Sequence, residues 1–379
     1  MSHTRRNCCM KFYEMEQTMK CILVNGYGAV EDVVSFKNDH PKPKLKPKSN
    51  QLLVRVLACS TSPGDWRTMS GSVDAVRKPD VPYIPSQDIC GIVEEVDGNS
   101  DFKSGDCIIG TWSFVALGGM AEYALIESKY AVKKPDCITP LEAAALANSS
   151  VNAMLAVRDA GVEKGQRILV IGGSSAVGLG IIQLVKDAGA SFVATTTTDE
   201  QLVKTLGADM VVDYRTQNWW EIPEFKSNPF DKIFDCAEGL SAWLHAKDEG
   251  VLKTGWNGGC FIGVVADNPT FELHSMWDIA RELSGAMLGR PIWTTLFSLF
   301  VPKFKMLFSA PRDNSLAELF KLVVEGRIKA VLDPQSPFPF TEEGAKSAYK
   351  LQASRHAHGK IVIQICDKTS DRKLDLQDI

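Results

Sequence analysis

The stretch RILVIGGSSAVGLGIIQLVKDAGA, Arg167 to Ala190, constrains this chain more than any other. An apolar strand, a turn of small residues and an apolar helix follow one another without a break. Such a turn exposes the first backbone N–H groups of a helix, and free donors together with the helix dipole favour an anion there. The spacing is not G-x-G-x-x-G. Close approach of a pyrophosphate requires small side chains, however, rather than glycine at every position. Gly172, Gly173, Ser174, Ser175, Ala176 and Gly178 meet that need, with Val177 packing inward and two serine hydroxyls available as further donors. Taken by itself the motif is weak, because turns like it occur in sheets that bind nothing. A second strand, SFVATTT, and a second helix, DEQLVKTLGA, then follow at the spacing of a βαβ unit. That context makes the turn a nucleotide site.

The regions flanking this unit differ in texture. Before it, KCILVNGYG, QLLVRVLAC and CGIVEEVDG read as strands separated by turn clusters such as TSPGD and KPDVPYIP, which predicts a compact, barrel-like β region. HPKPKLKPKSN, His40 to Asn50, alternates Pro and Lys and predicts an exposed loop. From Thr139 the pattern turns helical: a Thr cap, Pro in the first turn and Glu142 three residues after the cap. MVVDY, DKIFDCA and GCFIGVV then add short apolar strands, SLAELFKLVVEGRI an amphipathic helix ending at Gly326, and GKIVIQI a last strand. Strands alternating with helices predict a doubly wound parallel sheet.

Bulk properties remove some classes. A net charge of -4 gives no overall attraction to nucleic acid or to an anionic bilayer. The ten cysteines include no C-x-x-C and follow no recognisable secretory signal, so they read as reduced, mostly buried thiols. The longest apolar run, Pro291 to Phe308, is interrupted by Pro302, Lys303 and Lys305 and falls short of the roughly 20 residues a spanning helix needs. Its aromatics, Trp293, Phe297, Phe300, Phe304 and Phe308, suit either an apolar lid or membrane-surface contact, or else core or a dimer interface. Residues 1–18 read as a disordered start or a short organelle leader, leaving cytoplasm, mitochondrion and plastid open.

The second strand of a dinucleotide site usually ends on Asp or Glu, which binds the adenosine ribose. Here it ends in Thr195 to Thr198, with Thr196 and Thr197 placed at the cofactor. Asp199 and Glu200 come later, where helix capping accounts for them. Hydroxyls without a carboxylate suit a 2′-phosphate, with Lys204, Tyr214 and Arg215 near enough in sequence to assist. The expected cofactor is NADPH.

In order, CGIVEEV, FKSGDCIIG, GGMAEYALI, AAALANSSVNAMLAV, the Arg167–Ala190 unit, LGADMVVDYR and RHAHGKIVI resemble the medium-chain dehydrogenase/reductase superfamily in its zinc-free, quinone oxidoreductase-like branch. Within that branch the chain is similar to reticulon-interacting mitochondrial oxidoreductases and plant enone/quinone reductases. The resemblance implies a GroES-like β-rich catalytic domain, residues 19–148 and 312–366, around a Rossmann domain, residues 149–311, with a flexible tail at 367–379. It implies an active site in the cleft between them, NADPH as hydride donor, and a quinone or α,β-unsaturated carbonyl as acceptor. Tyr214 and Arg355 match positions that contact the cofactor in relatives. The family turn is commonly G-A-x-G-G-V-G, and two of its glycines are Ser175 and Ala176 here. Where relatives often carry Lys beside the 2′-phosphate, this chain has Thr197 and Thr198.

Zinc members of the superfamily hold their metal with Cys and His. At the matching places stand Ser62 and Gln87, and AALANSS offers neither Cys nor His, so no metal is expected. Ser62 and Asp65 match the polar pair that faces substrate in relatives, and Arg67 is a candidate for stabilising an oxyanion. The alternative for Asp65 is a turn cap, and for Arg67 a solvated charge. Asn152, with Asn148 and Ser149, lies at the domain crossing, where it serves either as a nicotinamide or ribose contact or as a satisfied helix polar. The expected partner is a small quinone or enone acting on a monomer or homodimer. Other readings are a trans-acting enoyl reductase on acyl chains, and a non-catalytic NADPH-binding or membrane-associated factor.

Overall fold

The computed structural model describes residues 18–98, 100–111, 118–255, 258–307 and 314–366. The leader and tail readings therefore fall on residues outside the described ones, apart from Thr18. An antiparallel ribbon, β1 (Thr18–Val24) and β2 (Val34–Pro41), opens the chain. Next come β3 (Gln51–Ser60), β4 (Asp88–Val96), β5 (Cys107–Thr111), β6 (Tyr123–Glu127) and β7 (Ala131–Lys133). The Rossmann strands are β8 (Arg167–Ile171), β9 (Phe192–Thr196), β10 (Met210–Val212), β11 (Lys232–Asp235), β12 (Cys260–Gly263) and β13 (Lys303–Met306). Two short strands, β14 (Phe338–Pro339) and β15 (Val362–Gln364), return to pair with the first sheet, β15 lying antiparallel to β3.

The first sheet has seven strands and the order β14-β15-β3-β4-β5-β7, with β6 also on β3. The second is parallel throughout, in the order β10-β9-β8-β11-β12-β13. Counted from β8, that is the 3-2-1-4-5-6 winding of a dinucleotide fold. Apolar clusters cover both of its faces. One includes Val170, Ile182, Phe234, Leu319 and Phe320; the other includes Trp219, Phe230, Trp243 and Phe261.

The helix Pro140–Ala160 joins the two halves. Thr139 caps it by accepting from the Glu142 N–H while Glu142 reaches back to the Thr139 N–H at 2.7 Å, and Gly161 ends it in the left-handed conformation. Its alanine face allows the helix Ala176–Asp187 to pass so closely that a Cβ on Gly180 would sit 2.7 Å from that of Ala153. The apolar run after Pro291 splits. A helix ends at Leu296, and Phe304 enters the sheet as core, its ring 5.2 Å from Trp243. Leu296 and Phe300 stay outside, 75% and 78% exposed, beside a neighbouring helix that leaves Trp277 84% exposed. Phe308 lies outside the described residues. The described cysteines are free thiols, and no helix among the described residues is long and apolar enough to cross a membrane.

A buried ion pair holds the return crossing. Lys360 Nζ donates to Asp88 at 3.2 Å and to Ser149 at 3.0 Å, and the pair's side chains are 5% and 1% exposed. Asp88 also accepts from Thr111 at 2.7 Å and from Ser60 at 3.3 Å. Removing one member strands a buried charge, whereas replacing both does not. We expect Lys360→Met to lower unfolding stability by roughly 3–5 kcal/mol, and Lys360→Met with Asp88→Leu to recover most of it. Denaturant midpoints of the three proteins check this, and equal losses in single and double variants would contradict it.

Candidate active site

Chain leaving β8 goes to β9 on one side, while its other neighbour in the sheet is β11. The connections leaving the carboxyl ends of β8 and β11 therefore run to opposite sides of the sheet, and ligands of such sheets enter the crevice between them. The turn Gly172–Gly178 lines one wall. Gly172 has φ +78°, which its lack of a side chain permits, and its N–H donates to Thr196 Oγ1 at 2.9 Å. The Gly173 N–H donates to the Thr196 carbonyl at 2.9 Å, and any Cβ on Gly173 would run into the Thr195 hydroxyl. The turn is thus pressed flat against β9.

Several hydroxyls expected at the cofactor are used by this scaffold. Ser175 caps the helix, accepting from the Gly178 N–H at 3.1 Å while donating to the Gly172 carbonyl at 2.8 Å. Its hydroxyl thus serves the cap in this structure. Thr196 and Thr197 are buried, and Thr197 Oγ1 accepts from the Asp199 N–H at 3.1 Å. Thr198 is only half-buried, and its hydroxyl lies 3.3 Å from His358 Nε2. Tyr214 is 49% exposed just beyond β10. Arg215 turns to Asp213, with Nε 2.9 Å from a carboxylate oxygen, and Lys204 pairs with Glu200 at 2.5 Å.

The other wall follows β11. Asp235, fully buried, accepts backbone N–H bonds from Ala237, Glu238 and Gly239 at 2.9, 2.8 and 2.6 Å. Burial pushes its carboxyl up to about 6, opposed by those bonds and by Arg355. Glu238 is pushed up to about 7, first by burial and then by Asp235, and Trp219 Nε1 donates to it at 3.3 Å. Arg355, at φ +62° after the helix Glu342–Ser354, donates to the Ala237 carbonyl at 2.5 Å. Arg355 stands among the candidates read from the sequence, whereas Asp235 and Glu238, which the structure brings beside it, do not. The available signal was DCAEG, an acid and a glycine directly after an apolar strand.

From the first sheet comes the helix Pro63–Ser70. Ser62 and Asp65 form a capping box: the Ser62 N–H and hydroxyl both donate to Asp65 Oδ2 at 3.0 Å, and the Asp65 N–H donates to Ser62 Oγ at 3.2 Å. Asp65 is 1% exposed, and its Oδ1 has no partner among the described residues. Burial pushes its carboxyl up to about 6, Asp88 adding to the rise while Arg77, Ser62 and Lys360 oppose it. Arg67 reaches across to the second half, donating through Nη2 to the Pro269 carbonyl at 2.7 Å and stacking 4.4 Å from the centre of Phe271. Its Nε is buried without a partner among the described residues. Burial, then the nearby Arg355, hold its pKa below the usual arginine value. Arg67 and Arg355 thus lie near one another on two packed helices of the first half, each reaching across to the second. Asn152 is half-buried and donates to Asn148 Oδ1 at 3.2 Å, and the Ser149 hydroxyl accepts from Lys360.

The donor set does not fit zinc. The Ser62 hydroxyl is committed to Asp65 and Gln87 is a neutral amide, and neither is the soft, deprotonatable ligand that zinc requires. Among the described residues no three His, Cys, Asp or Glu side chains gather as a metal site.

The raised Asp65 carboxyl has a consequence for stability. The folded state keeps this proton to about pH 6, while an unfolded aspartate releases it near 3.8. Native protein therefore binds more protons within that window, and stability falls as pH rises through it. We expect Asp65→Asn to lose less stability than wild type between pH 4 and 7, by on the order of 2–3 kcal/mol. Parallel urea-midpoint curves for the two proteins would show that the carboxyl is not held up.

Comparison with known proteins agrees with this geometry. The alcohol dehydrogenase GroES-like domain family matches residues 48–136, and a family described as zinc-binding dehydrogenase matches residues 206–363. The human quinone oxidoreductase is 31% identical over 353 residues, covering 92% of this chain and 98% of that protein. A chloroplastic NADPH-dependent alkenal/one oxidoreductase of Arabidopsis thaliana is 30% identical over 355 residues, covering 91% of this chain and 79% of that one. In fold, the quinone oxidoreductase of Coxiella burnetii superposes with a TM-score of 0.70 at 22% identity, covering 92% of this chain and 99% of that one. The chain belongs to the medium-chain dehydrogenase/reductase superfamily, as an oxidoreductase of its quinone oxidoreductase-like branch with a Rossmann half and a GroES-like half.

Proposed function

We propose that this protein is an NADPH-dependent reductase that passes hydride to a quinone or to the β-carbon of an α,β-unsaturated carbonyl, without a metal. The observation that carries the reading is Arg67: a cation packed at the mouth of the switch-point crevice, with a buried Nε–H that no described residue accepts. A buried donor left unpaired costs about 1–3 kcal/mol, so an acceptor that arrives with the ligand would gain from meeting this one. Two of the relatives at 30% identity or more bear the names of a quinone oxidoreductase and an NADPH-dependent alkenal/one oxidoreductase, which supports the same acceptor class.

When bound, NADPH supplies the hydride from C4 of its nicotinamide. The chain's own residues orient and neutralise. The backbone N–H groups that the turn does not use itself, those of Ser174, Ala176 and Val177 at the start of the twelve-residue helix Ala176–Asp187, would hold the pyrophosphate, with Arg355 beside them. Asn152 and Tyr214 border the nicotinamide and adenosine ends respectively. As hydride arrives, negative charge grows on the acceptor oxygen, and Arg67 Nε–H is the donor for it. The Asp65 carboxyl, which holds the Ser62 hydroxyl and retains its own proton to about pH 6, gives that oxygen a route to a proton below that pH, and water supplies it above. One hydride and one proton leave a hydroquinone or a saturated carbonyl.

The test is NADPH oxidation by purified protein with 1,4-benzoquinone, 9,10-phenanthrenequinone and an alkenal, each with and without chelator, and NADH as control. Turnover that prefers NADPH and survives chelation is expected. Loss of turnover on chelation, or none with any acceptor, contradicts the proposal. Arg67→Met should reduce kcat about a hundredfold while leaving NADPH affinity within about threefold. A loss confined to KM would mean that Arg67 only binds.

A further inference from the structure

The turn after β9 is where a sheet of this winding places the adenosine ribose, and an acid there normally selects the unphosphorylated cofactor. Asp199 is such an acid, and helix capping accounts for only half of it. Its Oδ1 accepts from the Leu202 N–H at 3.0 Å, whereas its Oδ2 lies 3.2 Å from Nδ1 of His358. The other ring nitrogen of His358 is 3.3 Å from Thr198 Oγ1. The cations nearest in sequence are held elsewhere, Lys204 by Glu200 and Arg215 by Asp213.

His358 does not belong to the Rossmann half. It arrives on the return segment, where its backbone N–H donates to Asp333 Oδ2 at 2.8 Å and the next N–H, of Gly359, donates to the Ser174 carbonyl at 3.0 Å. The imidazole is therefore positioned from outside, next to the turn that would hold the pyrophosphate. We propose that His358 is the specificity-determining residue for the 2′-phosphate. It occupies the free oxygen of Asp199, which would otherwise accept from a ribose diol and repel a phosphate. An imidazolium bonded to Asp199 through Nδ1–H also carries an Nε2–H on the Thr198 side, where a 2′-phosphate can accept it. This rests on the NADPH reading given above. The pair is 28% and 30% exposed, so it adds little to folding and its loss should leave the fold intact.

Calorimetric titration of the full chain with adenosine 2′,5′-bisphosphate and with adenosine 5′-monophosphate isolates the 2′-phosphate. Wild type should favour the bisphosphate. His358→Leu should weaken the bisphosphate about tenfold while monophosphate binding holds or improves. Adding Asp199→Asn to that variant should restore part of the loss, and His358→Arg should keep the wild-type preference. In kinetics, the KM for NADPH should rise more than the KM for NADH. Equal weakening of both nucleotides in His358→Leu would show that the ring merely props the turn, and unchanged binding of both would show that it plays no part. Either result overturns the inference and leaves the nucleotide site standing. A wild type that binds neither nucleotide, or favours the monophosphate, overturns both the NADPH reading and the inference.

Discussion

The structure hinges on the point where the chain, having built its second sheet, crosses back to finish its first. Two consecutive residues make that crossing. The Gly359 N–H donates to the carbonyl of Ser174 in the phosphate-type turn, and Lys360 buries its ammonium against Asp88 of β4 and Ser149 of the connecting helix. Each contact joins a different pair of elements, so the crevice between the sheets takes its width from them. A buried ion pair is rarely a net gain over apolar packing, but it penalises every register that leaves either charge unpaired. That fits a junction whose task is placement: β15 begins two residues later and must meet β3 in one alignment.

Hydrogen bonding at the crevice divides into donors that build the walls and donors left over. Ser175, Thr195, Thr196 and Thr197 all serve the walls, and so do the backbone bonds to Asp235. Among the described residues the donor left over there is cationic, the Nε of Arg67, with Arg355 close by. In a partly desolvated cleft, unmatched donors are already oriented and need no reorganisation when negative charge appears, which is the arrangement transition-state stabilisation calls for.

Much of the fold was legible because its signals are local. The Thr139 cap, its Glu142 partner and the glycine stop at Gly161 all lie within one helix and behave as their spacing implies. The βαβ unit around Gly172 was readable for the same reason, and the absence of good zinc donors could be read from Ser62 and Gln87. Legibility ended where one residue type serves two purposes. Ser175 in the turn suggests a phosphate donor, yet a serine at a helix start is equally a cap, and the capping bond from Gly178 shows only in the structure. The run after Pro291 looked like one apolar segment. Its periodicity could not reveal that Phe304 becomes the core of an edge strand while Phe300, four residues earlier, faces out.

The sequence by itself determined the alternation of strands and helices, the small-residue turn, the caps and the lack of a zinc-ligand set. Each of these depends on neighbours within a few positions, where backbone geometry leaves little choice. Only the tertiary structure decided which side chains meet across the crevice. Arg67 meets Pro269 and Phe271 about two hundred residues on, and His358 meets Asp199 across 159 positions. Nothing in the local chain specifies those encounters. They follow from the winding order of the parallel sheet and from the return crossing at Gly359 and Lys360, which carry distant segments to the same edge.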